Sequence, residues 1–186
     1  SILYSFGRSL GGEFLGIFAY YLASPFSFIV ALFPQKMITE ALLVMFLLKV
    51  GLCGLNFGIY LDATRRKNPV AAVIFSTMYA LCAYAVVQQH NTMWIDNVLF
   101  LPLILLGIEQ MIRFGKFKLY VVTLSLAILS NYYIGYMVCI FSLVYFFYYY
   151  FSQDPKVLNP HGKRAHLFRA FVRFALFALL SAAIAA

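Results

Sequence analysis

The tripeptide Arg65-Arg66-Lys67 separates two apolar runs, residues 38–61 and 69–87, and its reading decides the fold. Three consecutive cations after a run long enough to span a bilayer read as the stop at the end of a membrane crossing. Two further basic groups follow: Arg113, Lys116 and Lys118, then Lys156, Lys163, Arg164, Arg169 and Arg173. Threading the apolar stretches between them as crossings puts all eleven of these cations, out of fourteen Lys and Arg, on one face. Lys and Arg excess in short loops marks the cytoplasmic side. The net charge of +8 therefore reports membrane orientation rather than nucleic-acid binding. Anionic inner-leaflet lipid is the expected partner of these loops.

Composition agrees. Hydrophobic residues make up 64% of the 186-residue chain and charged residues 11%, whereas a soluble domain is about half apolar. Twenty Phe and fourteen Tyr suit lipid-facing and interfacial surfaces. Cys53, Cys82 and Cys139 all fall inside predicted spans, are odd in number and match no zinc spacing, so they read as small buried thiols. The chain has no starting Met and no signal-peptide n-region, and it stops within the apolar run Ala182 to Ala186. Both ends read as cut, and the chain is expected to be an internal piece of a larger membrane protein.

Working outward from the first stop gives an all-α, polytopic transmembrane helical bundle of about six spans. Residues 1–36 form an outer-face juxtamembrane segment, and residues 37–186 form the transmembrane region. Gly7, Gly11, Gly12, Gly16, Pro25 and Pro34 interrupt the first segment, so no stretch there reaches the length of a crossing. Short amphipathic helices at the interface are expected, with Tyr20, Tyr21, Phe26 and Phe28 at headgroup depth. The first crossing runs inward over 38–61. The second starts near Pro69, where helix-start proline is tolerated, and runs outward to Val87. An outer loop, Gln88 to Asp96, precedes a short third crossing at 97–112 that contains Pro102. Residues 119–151 have basic flanks on both sides, so the chain must go out and return. Two short helices turning at Asn131-Tyr132-Tyr133-Ile134-Gly135 satisfy this. A last span leaves from about Phe168.

Three places carry candidate chemistry. Lys49 sits mid-span, where a charge needs a partner or a polar cavity. It either snorkels or pairs with a carboxylate such as Glu109, or it meets a lipid phosphate or another anion. Gly51, Gly54 and Gly58 follow it at helical spacing and suit close helix approach. His90, Asn91, Trp94 and Asp96 cluster in the outer loop. Asp serves as a base or metal ligand, His likewise, and Trp as a stacking surface for a sugar. Equally, Trp94 is an interfacial anchor and Asp96-Asn97 a helix cap. Asn131, Tyr132 and Tyr133 form either a turn with interfacial anchors or a pocket wall. Glu109 is expected to pair with Arg113 at the i, i+4 position. No phosphate-cradling Gly loop, HExxH, nucleophile elbow or CxxC pair is present.

Together these segments resemble the YfhO-like bacterial membrane proteins. The resemblance rests on Tyr4-Ser5-Phe6-Gly7-Arg8-Ser9-Leu10-Gly11-Gly12, Ala19-Tyr20-Tyr21-Leu22-Ala23-Ser24-Pro25-Phe26 and Leu48-Lys49-Val50-Gly51-Leu52. It continues, in order, through Met93-Trp94-Ile95-Asp96, Leu101-Pro102-Leu103-Ile104 and Ser130-Asn131-Tyr132-Tyr133-Ile134-Gly135-Tyr136-Met137, and covers about residues 1–151. It implies a GT-C type glycosyltransferase of a Gram-positive bacterium. Such an enzyme takes a sugar from a polyprenyl-phosphate carrier and delivers it, outside the cytoplasm, to a cell-envelope polymer such as teichoic or lipoteichoic acid. The resemblance places the principal acidic base upstream of Ser1, with Glu13 in the same outer loop. Lys49 and Arg8 are then the phosphate-binding cations, with Asn131 and Tyr132 as further donors to the leaving phosphate. Asp96 is the visible base or metal-fixing carboxylate. Trp94, His90, Asn91, Tyr133, Tyr20 and Tyr21 are candidate substrate contacts. No cofactor is assigned, and a divalent metal stays open. A lipid or lipid-linked-sugar flippase and a non-catalytic membrane scaffold are the alternatives.

Overall fold

A computed structural model describes residues 4–5, 12–13, 24–65, 68–153 and 163–185. The described helices are α1 (Ser27–Ala31), α2 (Ile38–Arg65), α3 (Pro69–Ala80), α4 (Ala83–Val87), α5 (Thr92–Phe114), α6 (Lys118–Ser130), α7 (Tyr132–Ser152) and α8 (Lys163–Ala185). Two short strands, β1 (Tyr4–Ser5) and β2 (Gly12–Glu13), pair antiparallel. Among the described residues of the first 36, this hairpin and the five-residue α1 stand where amphipathic helices are expected.

Five helical segments are long and apolar enough to cross a membrane: Gln35–Thr64, Pro69–His90, Thr92–Phe114, Tyr132–Ser152 and His166–Ala185. The sixth expected crossing is α6, whose 13 residues span about 20 Å, against a hydrocarbon core of about 30 Å. Large apolar side chains face outward on α2, α3 and α8, among them Leu47, Leu55, Val73, Met78 and Leu179. Such contiguous exposed apolar surface suits lipid rather than water. Helix α5 is the centre of the bundle. Its Ile95, Ile104 and Ile108 are fully buried, and α2, α6, α7 and α8 pack around it, while α3 packs against α2 and reaches α5 through Tyr79.

Local chemistry sets the ends and crossings. Asn68 caps α3, its side chain accepting from Val70 N at 3.0 Å, with Pro69 in the first turn. Gly115 takes φ +69° and closes α5, the left-handed conformation that glycine adopts without strain. Asn131 breaks the α6–α7 line in an extended conformation and caps α7 by accepting from Ile134 N at 3.0 Å. Pro102 has no N–H to give the carbonyl of Val98 one turn earlier, and the Tyr79 hydroxyl donates to that carbonyl at 2.7 Å. A neighbouring helix thus repairs the proline gap. Helices α5 and α6 meet closely at Gly107, where a Cβ would stand 2.7 Å from Tyr120 backbone atoms. Gly54 and Gly58 let α2 approach Ala80 and Ser76 of α3, whereas a Cβ at Gly51 would meet nothing within 4 Å. Of the three glycines read as packing positions, Gly51 is not one.

Three boundaries differ from the sequence reading. The second crossing is split at Leu81-Cys82, where Cys82 is extended. The third begins at Thr92, not 97, so Asp96 lies inside the helix and does not cap it. Of the two short helices expected over 119–151, only α6 is short; α7 has 21 residues.

Candidate functional site

Helices α2 and α5 run parallel. Two backbone contacts fix their register: Lys49 to Thr92 and Asn56 to Leu99, both 43 positions apart. This alignment sets the middle of α2 against the first turns of α5, at the end of the bundle opposite Arg113, Lys116 and Lys118. There Lys49 Nζ lies 2.7 Å from Asp96 Oδ1, and the two side chains are 1% and 0% exposed. Lys49 also donates to the Thr92 carbonyl at 2.9 Å and stands 5.4 Å from the centroid of the Phe26 ring. The partner of Lys49 is thus Asp96 and not Glu109. Asp96 Oδ2 and the whole amide of Asn97 are buried without hydrogen-bond partners among the described residues.

A cleft of about 150 Å³ reaches Lys49. Ser24, Ser27 and Thr92 bring polar groups to its wall, and Leu42, Met45 and Met93 supply apolar surface. The site therefore offers one ammonium at the edge of a small cleft, backed by a desolvated carboxylate. Low polarity around the pair strengthens its attraction, and it also strengthens the pull of the ammonium on any further anion.

The remaining candidates scatter. Tyr132 and Tyr133 line a different groove of about 450 Å³, apolar in character, with Ile128, Tyr136, Cys139 and Ala182. Asn131 is fully buried at the α6–α7 joint. His90 is exposed on the turn before α5, Asn91 donates through Nδ2 to Gln88 Oε1 at 2.9 Å, and Trp94 is half-buried on α5. Arg8, Tyr20 and Tyr21 lie outside the described residues. Glu13 is described in its backbone alone, opposite Tyr4. Among the described residues no group of three His, Cys, Asp or Glu is placed to hold a metal ion.

A second polar cluster lies toward the basic end. Glu109 Oε1 accepts from the hydroxyls of Tyr60 at 3.0 Å and Tyr145 at 2.7 Å, and these two hydroxyls are 3.0 Å apart. The expected Glu109–Arg113 ion pair is not formed among the described residues; two phenols from α2 and α7 take its place. Sequence reasoning passed over Thr92, Tyr60 and Tyr145, took Asn97 only as part of a cap, and gave Ser24 no role. Ser24 and Asn97 carried a signal, since both are polar residues next to an apolar run. Thr92 acts through its carbonyl, which leaves no trace in a sequence.

No curated protein and no solved structure matches the chain. The family model described as bacterial membrane protein YfhO matches residues 1–186. Five helices of membrane-crossing length and the shorter apolar α6, with a buried Lys–Asp pair between α2 and α5, are the form that this sequence pattern takes among the described residues, and the chain belongs to the YfhO family of bacterial membrane proteins.

Proposed function

We propose that the protein is a membrane glycosyltransferase that moves a sugar from a polyprenyl-phosphate donor to a cell-envelope polymer, teichoic or lipoteichoic acid. The observation that carries this reading is the Lys49–Asp96 pair at a cleft on the end opposite the basic loops. By the charge rule that end is extracytoplasmic and the membrane is the bacterial cytoplasmic membrane. A lipid-linked donor arrives sideways through the bilayer, and its phosphate must meet a cation near headgroup depth. Lys49 is the cation at the cleft, and Arg8, outside the described residues, is the second cation assigned to the phosphate. The acceptor hydroxyl attacks the anomeric carbon, the bond from that carbon to the phosphate oxygen breaks, and the hydroxyl proton passes to a carboxylate. Asp96 or Glu13 takes that proton. Trp94, His90, Asn91, Tyr133, Tyr20 and Tyr21 hold the sugar or the acceptor.

The test uses the purified full-length protein, a radiolabelled polyprenyl-phosphate sugar and teichoic acid. Transfer by wild type, with loss of about a hundredfold or more in Asp96→Asn as for removal of a general base, supports the reading. Unchanged transfer in both Asp96→Asn and Lys49→Met removes these residues from the mechanism. A flippase for a lipid-linked sugar is the second reading, favoured by the split at Leu81-Cys82 and the short α6. It predicts movement of the labelled donor across vesicles without a new glycosidic bond.

A further inference from the structure

The sequence separates Arg113, Lys116 and Lys118 from Arg169 and Arg173 by most of two crossings, yet the fold brings the two groups together. A Cβ at Gly115 would stand 3.6 Å from Arg173 Nη1, so the guanidinium lies over the bare turn between α5 and α6. Next to it the rings of Phe117 and Phe177 stack at 4.2 Å and lock α6 to α8. Arg113 flanks the turn and rests over the ring of Phe114, Lys116 and Lys118 follow Gly115 by one and three residues, and Arg169 is one turn from Arg173 on α8. All five cations are exposed, and none forms an ion pair among the described residues. The nearest carboxylate in sequence, Glu109, is held by two tyrosines instead. Beside the cations an apolar wall continues along the bundle, with Val122 56% and Leu176 58% exposed.

We propose that Arg113, Lys116, Lys118 and Arg173 seat the phosphate headgroup of one anionic phospholipid, of the phosphatidylglycerol class. Charge complementarity selects the headgroup: clustered cations at an interface, none ion-paired to an acid among the described residues, attract a phosphodiester. The apolar wall selects a lipid over a free anion, because the acyl chains cover Val122 and Leu176 while the phosphate meets the turn. Gly115 shapes the seat through its φ of +69°, a left-handed conformation that a side chain would strain. The site is at the end away from Lys49 and stands apart from the proposed transferase chemistry.

The experiment is native mass spectrometry of the full-length protein in detergent, titrated with short-chain phosphatidylglycerol. Phosphatidylcholine and inorganic phosphate serve as comparison and competitor. One phosphatidylglycerol is expected to bind ahead of phosphatidylcholine. At about fivefold per cation, the variant carrying Lys116→Gln and Arg173→Gln is expected to bind it about 30-fold more weakly. Lys36→Gln, at the other end of the bundle, is expected to bind as wild type. Lys116→Gln alone changes an exposed side chain and provides the same reading if the double variant fails to fold. Equal affinity in wild type and Lys116→Gln, or equal binding of phosphatidylcholine, overturns the proposal. Displacement of the lipid by inorganic phosphate at comparable concentration assigns the site to a free anion and overturns it as well.

Discussion

Replacing Lys49 by Met removes the ammonium while keeping a flexible apolar chain of similar reach. In the wild type that ammonium contacts Asp96 Oδ1 at 2.7 Å and the Thr92 carbonyl at 2.9 Å, with both side chains almost wholly buried. In Lys49→Met the Asp96 carboxylate loses its only ionic partner among the described residues. Breaking a buried pair from one side costs about 3–5 kcal/mol, because the surviving charge stays desolvated. Replacing both members is different. Lys49→Met combined with Asp96→Leu leaves no charge behind, and such exchanges are neutral or gain about 1–4 kcal/mol. The Thr92 carbonyl still loses a donor, which offsets about 1 kcal/mol of that gain. The double variant is therefore expected to lie between about 1 kcal/mol less stable and about 3 kcal/mol more stable than wild type, with a coupling energy of about 3 kcal/mol or more. Unfolding free energies of the four full-length proteins, measured in mixed micelles against SDS, give this cycle. Additive losses, with coupling under about 0.5 kcal/mol, would refute the argument that the pair is one buried electrostatic unit. The same double variant also separates packing from chemistry, since it is expected to fold and yet transfer no sugar.

Gly107→Ala puts a methyl 2.7 Å from Tyr120 backbone atoms and is expected to cost about 1–3 kcal/mol, whereas Gly51→Ala meets open space and is expected to stabilise by up to about 1 kcal/mol; equal effects in the unfolding assay contradict the packing described. Asn131→Ala removes the cap on Ile134 N and is expected to cost about 0.5–2 kcal/mol, with faster amide exchange at the start of α7; unchanged exchange there speaks against the cap. Glu109→Leu removes the acceptor shared by the Tyr60 and Tyr145 hydroxyls, which within this cluster keep only each other at 3.0 Å, and is expected to cost about 1–3 kcal/mol; adding Tyr60→Phe and Tyr145→Phe is expected to recover most of the loss, and a further loss in the triple variant contradicts the cluster.

The crossings were legible because each is announced by local chemistry. Cations follow α2 and α5, Asn68-Pro69 opens α3, and Asn131 with its extended backbone divides α6 from α7. The split at Leu81-Cys82 was not legible, since neither Gly nor Pro marks it. Asp near an apolar run favours caps and loops, but α5 starts a turn earlier at Thr92 and takes Asp96 inside the helix. The candidate site was legible as a list of uncomfortable residues and not as a set of partners. Lys49 needed an anion, and Glu109 and Asp96 were both available. The choice was made by the parallel register of α2 and α5, a long-range property fixed by side-chain packing along both helices. The same register carries Tyr60 to Glu109 and leaves Arg113 at the α5–α6 turn.

The most direct test of the transferase account is made in the organism. The gene is deleted in its own host, and the sugar content of the purified teichoic and lipoteichoic acids is determined. The account predicts that one sugar substituent disappears, returns with the wild-type gene and stays absent with Asp96→Asn. Intact glycosylation of these polymers in the deletion strain would contradict it.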